Sequence, residues 1–226
     1  MTPVSVILSS SNLLLLGRGA LLSLGLAAGS LAMGVSIAIF GAMGRISRRR
    51  FPRLISAAYV ELVRGTPMLL QILFLFLALP MIIMIITGNP FKPNIIVIGL
   101  IAMGVNSGAY TTELIRSGIQ GVDTGQLEAA RSLGLSYFRA MRHVILPQAF
   151  KRIVPPLVNE FIVLIKDSSL VSTIGVTELI ARSKSIGAQY YNYTVPLIAA
   201  SVIYLVLTLS ISAFAKRLER RLRESD

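Results

Sequence analysis

Apolar runs of bilayer length recur along the chain, separated by short polar segments. Residues 13 to 40, LLLLGRGALLSLGLAAGSLAMGVSIAIF, form a first span broken only by Arg18. No basic stretch precedes it and no polar-flanked cleavage site follows, so it reads as retained and not as a leader. The second run, residues 54 to 87, is too long for one straight crossing, because its 34 residues at about 1.5 Å each would cover about 51 Å against a hydrocarbon core of about 30 Å. Pro67 and Pro80 are places for a kink or for a division into an approach and a span. The turn GNPFKPN ends it. A third span covers residues 95 to 118, where Gly104 and Gly108 stand in a G-x-x-x-G arrangement that permits close helix contact; Gly25 and Gly29 repeat it in the first span. The fourth, residues 153 to 173, holds Pro155, Pro156, Asn159, Glu160, Lys166 and Asp167 and is weak by hydropathy. Residues 174 to 193 read as a polar connection, and residues 195 to 215 as a clean fifth span.

The pattern predicts an all-α polytopic membrane protein with five transmembrane helices in one domain spanning residues 1 to 226. Composition agrees: 54% of the 226 residues are hydrophobic and 14% charged, against about 25% charged in soluble domains. The balance of 22 Lys and Arg over 10 Asp and Glu gives +12. In a soluble chain that excess would suggest a nucleic-acid partner; here the partner is the lipid bilayer. Cysteine is absent and His143 is the only histidine, so no disulfide framework, metal centre or cofactor is expected in the chain.

The sides on which the charges fall give the excess a purpose. With five spans, Arg45, Arg48, Arg49, Arg50 and Arg53 share a side with Arg131, Arg139, Arg142, Lys151 and Arg152 and with Lys216, Arg217, Arg220, Arg221 and Arg223. The opposite side holds Lys92, Arg182 and Lys184. The positive-inside rule puts the N-terminus outside and the C-terminus in the cytoplasm. The fourth span is needed for this parity.

The loop at about 120 to 147 is then cytoplasmic. Glu128 to Ser132 is helix-forming, Gly134 permits a break, Ser136 can cap a second helix, and Pro147 is expected to stop it. Tyr137, Phe138, Met141, Val144 and Ile145 fall on one helical face. An amphipathic pair of this kind suits a groove on a cytoplasmic partner or the headgroup layer.

Glu128-Ala129-Ala130, three residues, Gly134, nine residues, then Val144-Ile145-Leu146-Pro147 resembles the EAA motif of transmembrane subunits of bacterial ABC importers, with Val144 where Ile is usual. Glu61 to Pro67 (ELVRGTP), Tyr110 to Arg116 (YTTELIR) and Lys166 to Leu170 (KDSSL) look like further signatures of the polar amino-acid uptake branch, and the resemblance runs from about residue 15 to 218. It implies a type I importer permease fold in a bacterial inner membrane, and a coupling loop carrying Glu128, Ala129, Ala130, Gly134, Leu146 and Pro147. It also implies a partner set: two copies of an ATP-binding subunit that holds the ATP and Mg, a second permease subunit identical or paralogous, and an extracytoplasmic amino-acid-binding protein. No G-x-x-x-x-G-K-[ST] loop is present, so the nucleotide chemistry belongs to the partner and the chain is not itself an enzyme.

Ionisable residues inside a span cost about 2.5 to 3.5 kcal/mol each on insertion scales and ask for a reason. By depth, Arg64, Asn106, Asn159, Glu160, Lys166 and Asp167 fall in the middle of the spans, with Ser168 beside them in the KDSSL signature. Arg64 or Lys166 would hold a substrate carboxylate, and Asp167 or Glu160 its ammonium. The competing reading is internal pairing: Glu61 with Arg64, Glu113 with Arg116, and Glu160 or Asp167 with Lys166. The expected function is passage of a polar amino acid, basic or glutamine, by alternating access. The alternatives are an ion-coupled secondary transporter, for which the five unequal spans offer no repeated halves, and a non-transporting scaffold.

Overall fold

The computed structural model describes residues 4–223; over them the chain is helical, with no strand. The first three residues and the last three of the basic tail lie outside the described residues. The helices are α1 (Val4–Ile7), α2 (Ser10–Ile46), α3 (Arg50–Arg64), α4 (Met68–Thr87), α5 (Ile95–Gln120), α6 (Thr124–Ser132), α7 (Tyr137–Ala140), α8 (Leu146–Asp167), α9 (Leu179–Tyr190) and α10 (Thr194–Arg223). A π-helical segment, Phe74–Ala78, lies within α4, another, Met141–Ile145, joins α7 to α8, and a 3-10 stretch, Ser168–Ile174, follows α8. Four helices are long and apolar enough to cross a membrane: α2, α4, α5 and the Thr194–Arg217 part of α10. The fifth expected span falls on α8, whose 22 residues include Lys151, Arg152, Glu160, Lys166 and Asp167; that charge, which weakened its hydropathy signal, keeps it out of the apolar set.

Burial runs opposite to oiliness. The most apolar helix, α4, has a mean hydropathy of 2.9 and only 6% of its span buried, whereas α5, at 1.5, has 61% buried. In lipid, helices gain little by hiding Leu and Ile from a solvent that is itself hydrocarbon, so close packing falls to small residues. On α2 the buried stripe is Ala20, Ser23, Ala27, Ser30, Gly34, Ala38 and Ala42. Its first residues, Ala20 and Ser23, meet the segment around Glu178 and Leu179, and the rest runs along α5: a Cβ on Gly34 would stand 2.9 Å from the Ser107 Cβ and 3.0 Å from the Gly108 amide nitrogen, and a Cβ on Gly104 would collide with Met33. Gly104 and Gly108 thus pack as expected. Gly25 does not, since nothing lies within 4 Å of a Cβ there; the α2 glycines at the seam are Gly29, Gly34 and Gly41, a wider spacing than the G-x-x-x-G pattern. Hydroxyls pin neighbouring helices to backbone carbonyls, with Tyr59 donating to Val105 at 2.6 Å and Ser56 to Gly41 at 2.6 Å.

The prolines act in two ways. Pro67 divides the long second run, ending α3 at Arg64 and restarting the helix at Met68, as a residue without an N–H that disfavours helix before it should. Pro80 and Pro147 do not break their helices. Each is preceded by a π turn in which the residue before the proline bonds five back, Leu79 to the Phe74 carbonyl and Leu146 to the Met141 carbonyl. The widened turn makes room for the ring. The expectation that Pro147 stops the helix is therefore overturned: the chain runs from α7 through the π turn into α8.

The connection at 174 to 193 holds a helix that its polarity concealed. α9 is capped by Glu178, which is fully buried and accepts from the Ile180 and Ala181 amides at 2.8 Å each, from Tyr204 Oη at 3.1 Å and from Ser23 Oγ at 3.5 Å. One carboxylate so joins α9 to α2 and α10. Burial pushes its pKa above the usual carboxylate range, against the hydrogen bonds that favour the charge.

Gly34→Val should lower stability by about 1 to 3 kcal/mol through overpacking of the seam, whereas Gly25→Ala, in open space, should not; thermal unfolding of detergent-purified protein separates the two. Glu178→Ala strands two helix-start amides and two hydroxyls and should cost about 2 kcal/mol or more in the same assay.

Candidate functional site

The break between α3 and α4 opens one wall of a cavity of about 550 Å³, lined by Arg64, Gly65, Thr66, Pro67 and Met68, by Asn106 and Tyr110 of α5, and by Glu160, Val163, Leu164 and Asp167 of α8. A second cavity of about 430 Å³ adjoins it toward the basic end of the bundle and adds Glu113, Leu114, Arg116, Ser117, Pro156 and Asn159. Arg64, Tyr110 and Glu160 line both, so these three side chains form the partition between them.

Arg64 does not pair with Glu61. Its guanidinium carbon lies 5.0 Å above the Tyr110 ring centroid, a cation–π contact that holds the charge at the cavity wall. Glu113 does pair with Arg116, as expected, with Oε2 2.6 Å from Nη2, and it also takes Arg45 Nε of α2 at 2.9 Å on Oε1. The bridge closes the basic-end side of the second cavity with a network that further engages Gln120 through Arg116. No group of three or more His, Cys, Asp or Glu able to hold a metal occurs among the described residues.

Of the seven residues expected at the site, Arg64, Asn106, Glu160 and Asp167 come together in the first cavity and Asn159 lies in the second. Lys166 and Ser168 line neither. Lys166 is exposed away from both, because the helical step from Asp167 turns it off the cavity face, and it forms no ion pair with Glu160 or Asp167 among the described residues. Ser168 is fully buried and donates to the Ile165 carbonyl at 2.7 Å, supporting the end of α8 where the helix tightens. Sequence reasoning missed Tyr110 as a wall, although it opens the YTTELIR signature, and it missed Gln71. Gln71 is the one amide within the apolar MLLQIL run. Its Nε2 donates to the Val63 carbonyl at 2.8 Å, the Thr66 carbonyl at 3.2 Å and Thr66 Oγ1 at 2.9 Å, and its Oε1 accepts from Asn106 Nδ2 at 3.0 Å. A pocket whose wall holds one guanidinium, two carboxyl groups and an amide has the complement of a zwitterion.

The loop at 120 to 147 is built around Gly134. Its φ is +84°, the Gly134 amide bonds to the Arg131 carbonyl at 3.0 Å and the Leu135 amide to the Ala130 carbonyl at 3.1 Å, which together make a Schellman stop to α6. Ser136 Oγ then accepts from the Arg139 amide at 3.4 Å to start α7. Glu128, Ala129, Gly134, Leu146 and Pro147 are exposed and Ala130 is buried. The expected single apolar face divides: Ile145 is buried with Val122 and Ala149, Met141 and Val144 pack on them, and Phe138 is 71% exposed. The π turn shifts the register between its two halves.

Gly134→Ala meets open space, so its cost is the left-handed backbone alone, about 1 to 2 kcal/mol. Faster amide hydrogen exchange confined to residues 124 to 145 should report it, and Gly17→Ala, in open space on α2, should leave that exchange unchanged.

Comparison with known proteins follows the same outline. The family described as binding-protein-dependent transport system inner membrane component matches residues 30–224. The arginine transport system permease protein ArtQ of Bacillus subtilis is 38% identical over 197 residues, covering 87% of each chain. The glutamine transport system permease protein GlnP of Escherichia coli K12 is 35% identical over 209 residues, covering 92% of this chain and 93% of its own. Among solved structures, an amino acid ABC transporter with histidines superposes with a TM-score of 0.84 at 39% identity, covering 92% of this chain and 94% of that one. The inward-facing MetNI methionine ABC transporter matches with a TM-score of 0.72 at 19% identity over 95% of this chain, a likeness of fold.

Proposed function

The chain belongs to the family of binding-protein-dependent transport system inner membrane components, as a permease subunit of an amino acid ABC importer, and from that premise we propose that it passes a glutamine-like or basic amino acid through the cavity between α3, α5 and α8. The observation that carries this reading is the cavity wall itself: Arg64, stacked on Tyr110, shares a cavity of about 550 Å³ with Glu160 and Asp167. Arg64 takes the α-carboxylate, and the two acidic residues take the α-ammonium or a cationic end group. The apolar remainder of the wall, Met68, Val163 and Leu164, keeps these charges out of bulk water, where each would be worth far less.

Transport requires differential contacts in two states. Two ATP-binding subunits, holding ATP and Mg, engage the 120 to 147 loops of this chain and of a second permease subunit, through Glu128, Ala129, Ala130, Gly134, Leu146 and Pro147. Their closure turns the cavity from inward to outward facing, and an extracytoplasmic binding protein delivers the amino acid at the opposite end. The N-terminus lies outside and the basic end in the cytoplasm of a bacterial inner membrane, with α8 completing the fifth crossing. The Arg45–Glu113–Arg116 bridge, at the basic end, supports this reading as the inner floor of the path.

In proteoliposomes of the whole complex, Arg64→Ala and Asp167→Asn should each raise KM for uptake about tenfold or more, a loss of about 1.4 kcal/mol of binding, with ATP dependence retained. Unchanged KM in both variants would place the substrate path elsewhere.

A further inference from the structure

The Gln71 side chain lies at a point where its orientation is not a free choice. The break at Gly65-Thr66-Pro67 leaves the Val63 and Thr66 carbonyls without onward helical donors, and both lie within 2.8 to 3.2 Å of one Gln71 terminal atom, with Thr66 Oγ1 at 2.9 Å. Two carbonyl oxygens at that range can be met only by an N–H, so the atom is Nε2. Thr66 has its own proton engaged, Oγ1 donating to the Leu62 carbonyl at 3.0 Å, so it is an acceptor here; one Gln71 hydrogen goes to the Val63 carbonyl and the other is shared between Thr66 Oγ1 and the Thr66 carbonyl.

The other end of the amide is fixed in consequence. Gln71 presents Oε1 to Asn106, so Asn106 must answer with Nδ2, at 3.0 Å. Asn106 lines the cavity and is 8% exposed. With one Nδ2 hydrogen committed to Gln71, its Oδ1, which accepts no hydrogen bond among the described residues, is turned to the cavity side and open to a ligand. Flipping Asn106 would set two oxygens against each other beside Gln71, at a cost of about 1 to 3 kcal/mol for the unmade bond in a buried place.

We infer that Gln71 is a positioning residue for substrate selection: by spanning the helix break it locks Asn106 as a hydrogen-bond acceptor toward the cavity, which biases the site toward amino acids whose side chain ends in a cationic donor over those ending in a neutral amide. The cavity then holds three acceptor groups, Asn106, Glu160 and Asp167, and one cation, Arg64. With the carboxylate of the substrate on Arg64, acceptors outnumber donors on the remaining wall, where the Tyr110 phenol and the second Asn106 Nδ2 hydrogen are the side-chain donors. A guanidinium or ammonium end has only donors and is matched by the Asn106 oxygen and the carboxyl groups; a carboxamide end brings a carbonyl oxygen that has few donors to meet it and no charge for the carboxyl groups to pair. The bond geometry of the helix break is so transmitted to the chemistry of the pocket through two amides in series.

The inference rests on the cavity being the substrate path, and the test keeps the two apart. Equilibrium binding of L-arginine and of L-glutamine is measured on the whole complex in nanodiscs, for wild type, Arg64→Ala, Gln71→Leu, Asn106→Leu and the Gln71→Leu/Asn106→Leu double variant, with thermal unfolding alongside. Wild type should favour L-arginine. Gln71→Leu should cut the arginine-to-glutamine ratio about fivefold or more, because Asn106 is freed to turn its NH2 inward, and Asn106→Leu added to it should change the ratio little further. Multiplicative effects in the double variant, or a Gln71→Leu protein that is less stable with an unaltered ratio, would reduce Gln71 to a patch on the helix break and overturn the inference while leaving the cavity assignment standing. Wild-type preference for L-glutamine would overturn it as well. Binding of neither amino acid, or binding of both untouched by Arg64→Ala, would remove the cavity assignment and the inference with it.

Discussion

A peptide group inside a bilayer has no water to turn to, and the architecture of this permease follows from where its helices nevertheless come apart. Each unsatisfied group in hydrocarbon costs several kcal/mol, so every interruption must bring its own partner. At the Thr66-Pro67 break the partner is the Gln71 amide; at the start of α9 it is the buried Glu178 carboxylate; at the end of α8 it is Ser168, donating to Ile165. The π turns before Pro80 and Pro147 solve the same problem without a side chain, by bonding one residue further back. Several polar side chains of the bundle are thus tied to interruptions of the backbone, and the cavity opens beside one of them, the Thr66-Pro67 break.

Much of this was legible in the sequence. The long second run announced a division by its length, and Pro67 supplies it. The polar residues within the spans were readable as candidates for one cavity because insertion energetics make them expensive, and Arg64, Asn106, Glu160 and Asp167 do line one. What was hidden has a common cause, since periodicity and hydropathy count residues and do not orient them. Lys166 and Asp167 are adjacent in sequence, yet one step of about 100° along the helix puts one at the cavity and the other outside it. Pro147 looked like a stop because the compensating π turn leaves no compositional mark. Glu178 lay in a polar stretch where a carboxylate attracts no notice, although it is among the most buried side chains of the chain.

The helix pair α2 and α5 forms the fixed reference for these features. Its seam is backbone against backbone, so it has little freedom to slide, and Tyr59 and Ser56 fasten α3 to it from the side. The elements that flank the cavity, α4 and α8, pack on this pair through the buried Ile72, Leu164 and Ile165 and through side-chain bonds such as Asn106–Gln71. A rigid pair with discontinuous helices beside it is the division of labour that a two-state carrier needs, because closed interfaces have few alternative arrangements while broken helices have several.

The inverted burial of α4 and α5 has a consequence for how the sequence can drift. In a water-soluble protein the oily positions are the constrained ones and the small, weakly polar ones vary. Here Leu77, Met81, Ile85 and Ile86 are more than half exposed, and any side chain of similar oiliness would serve them equally. Ser30, Gly34, Gly104, Ser107 and Gly108, bland by composition, admit almost nothing larger. Among descendants of this chain, the slowly changing letters should be the smallest ones, and a hydropathy profile would retain its shape long after the residues that draw it had been exchanged.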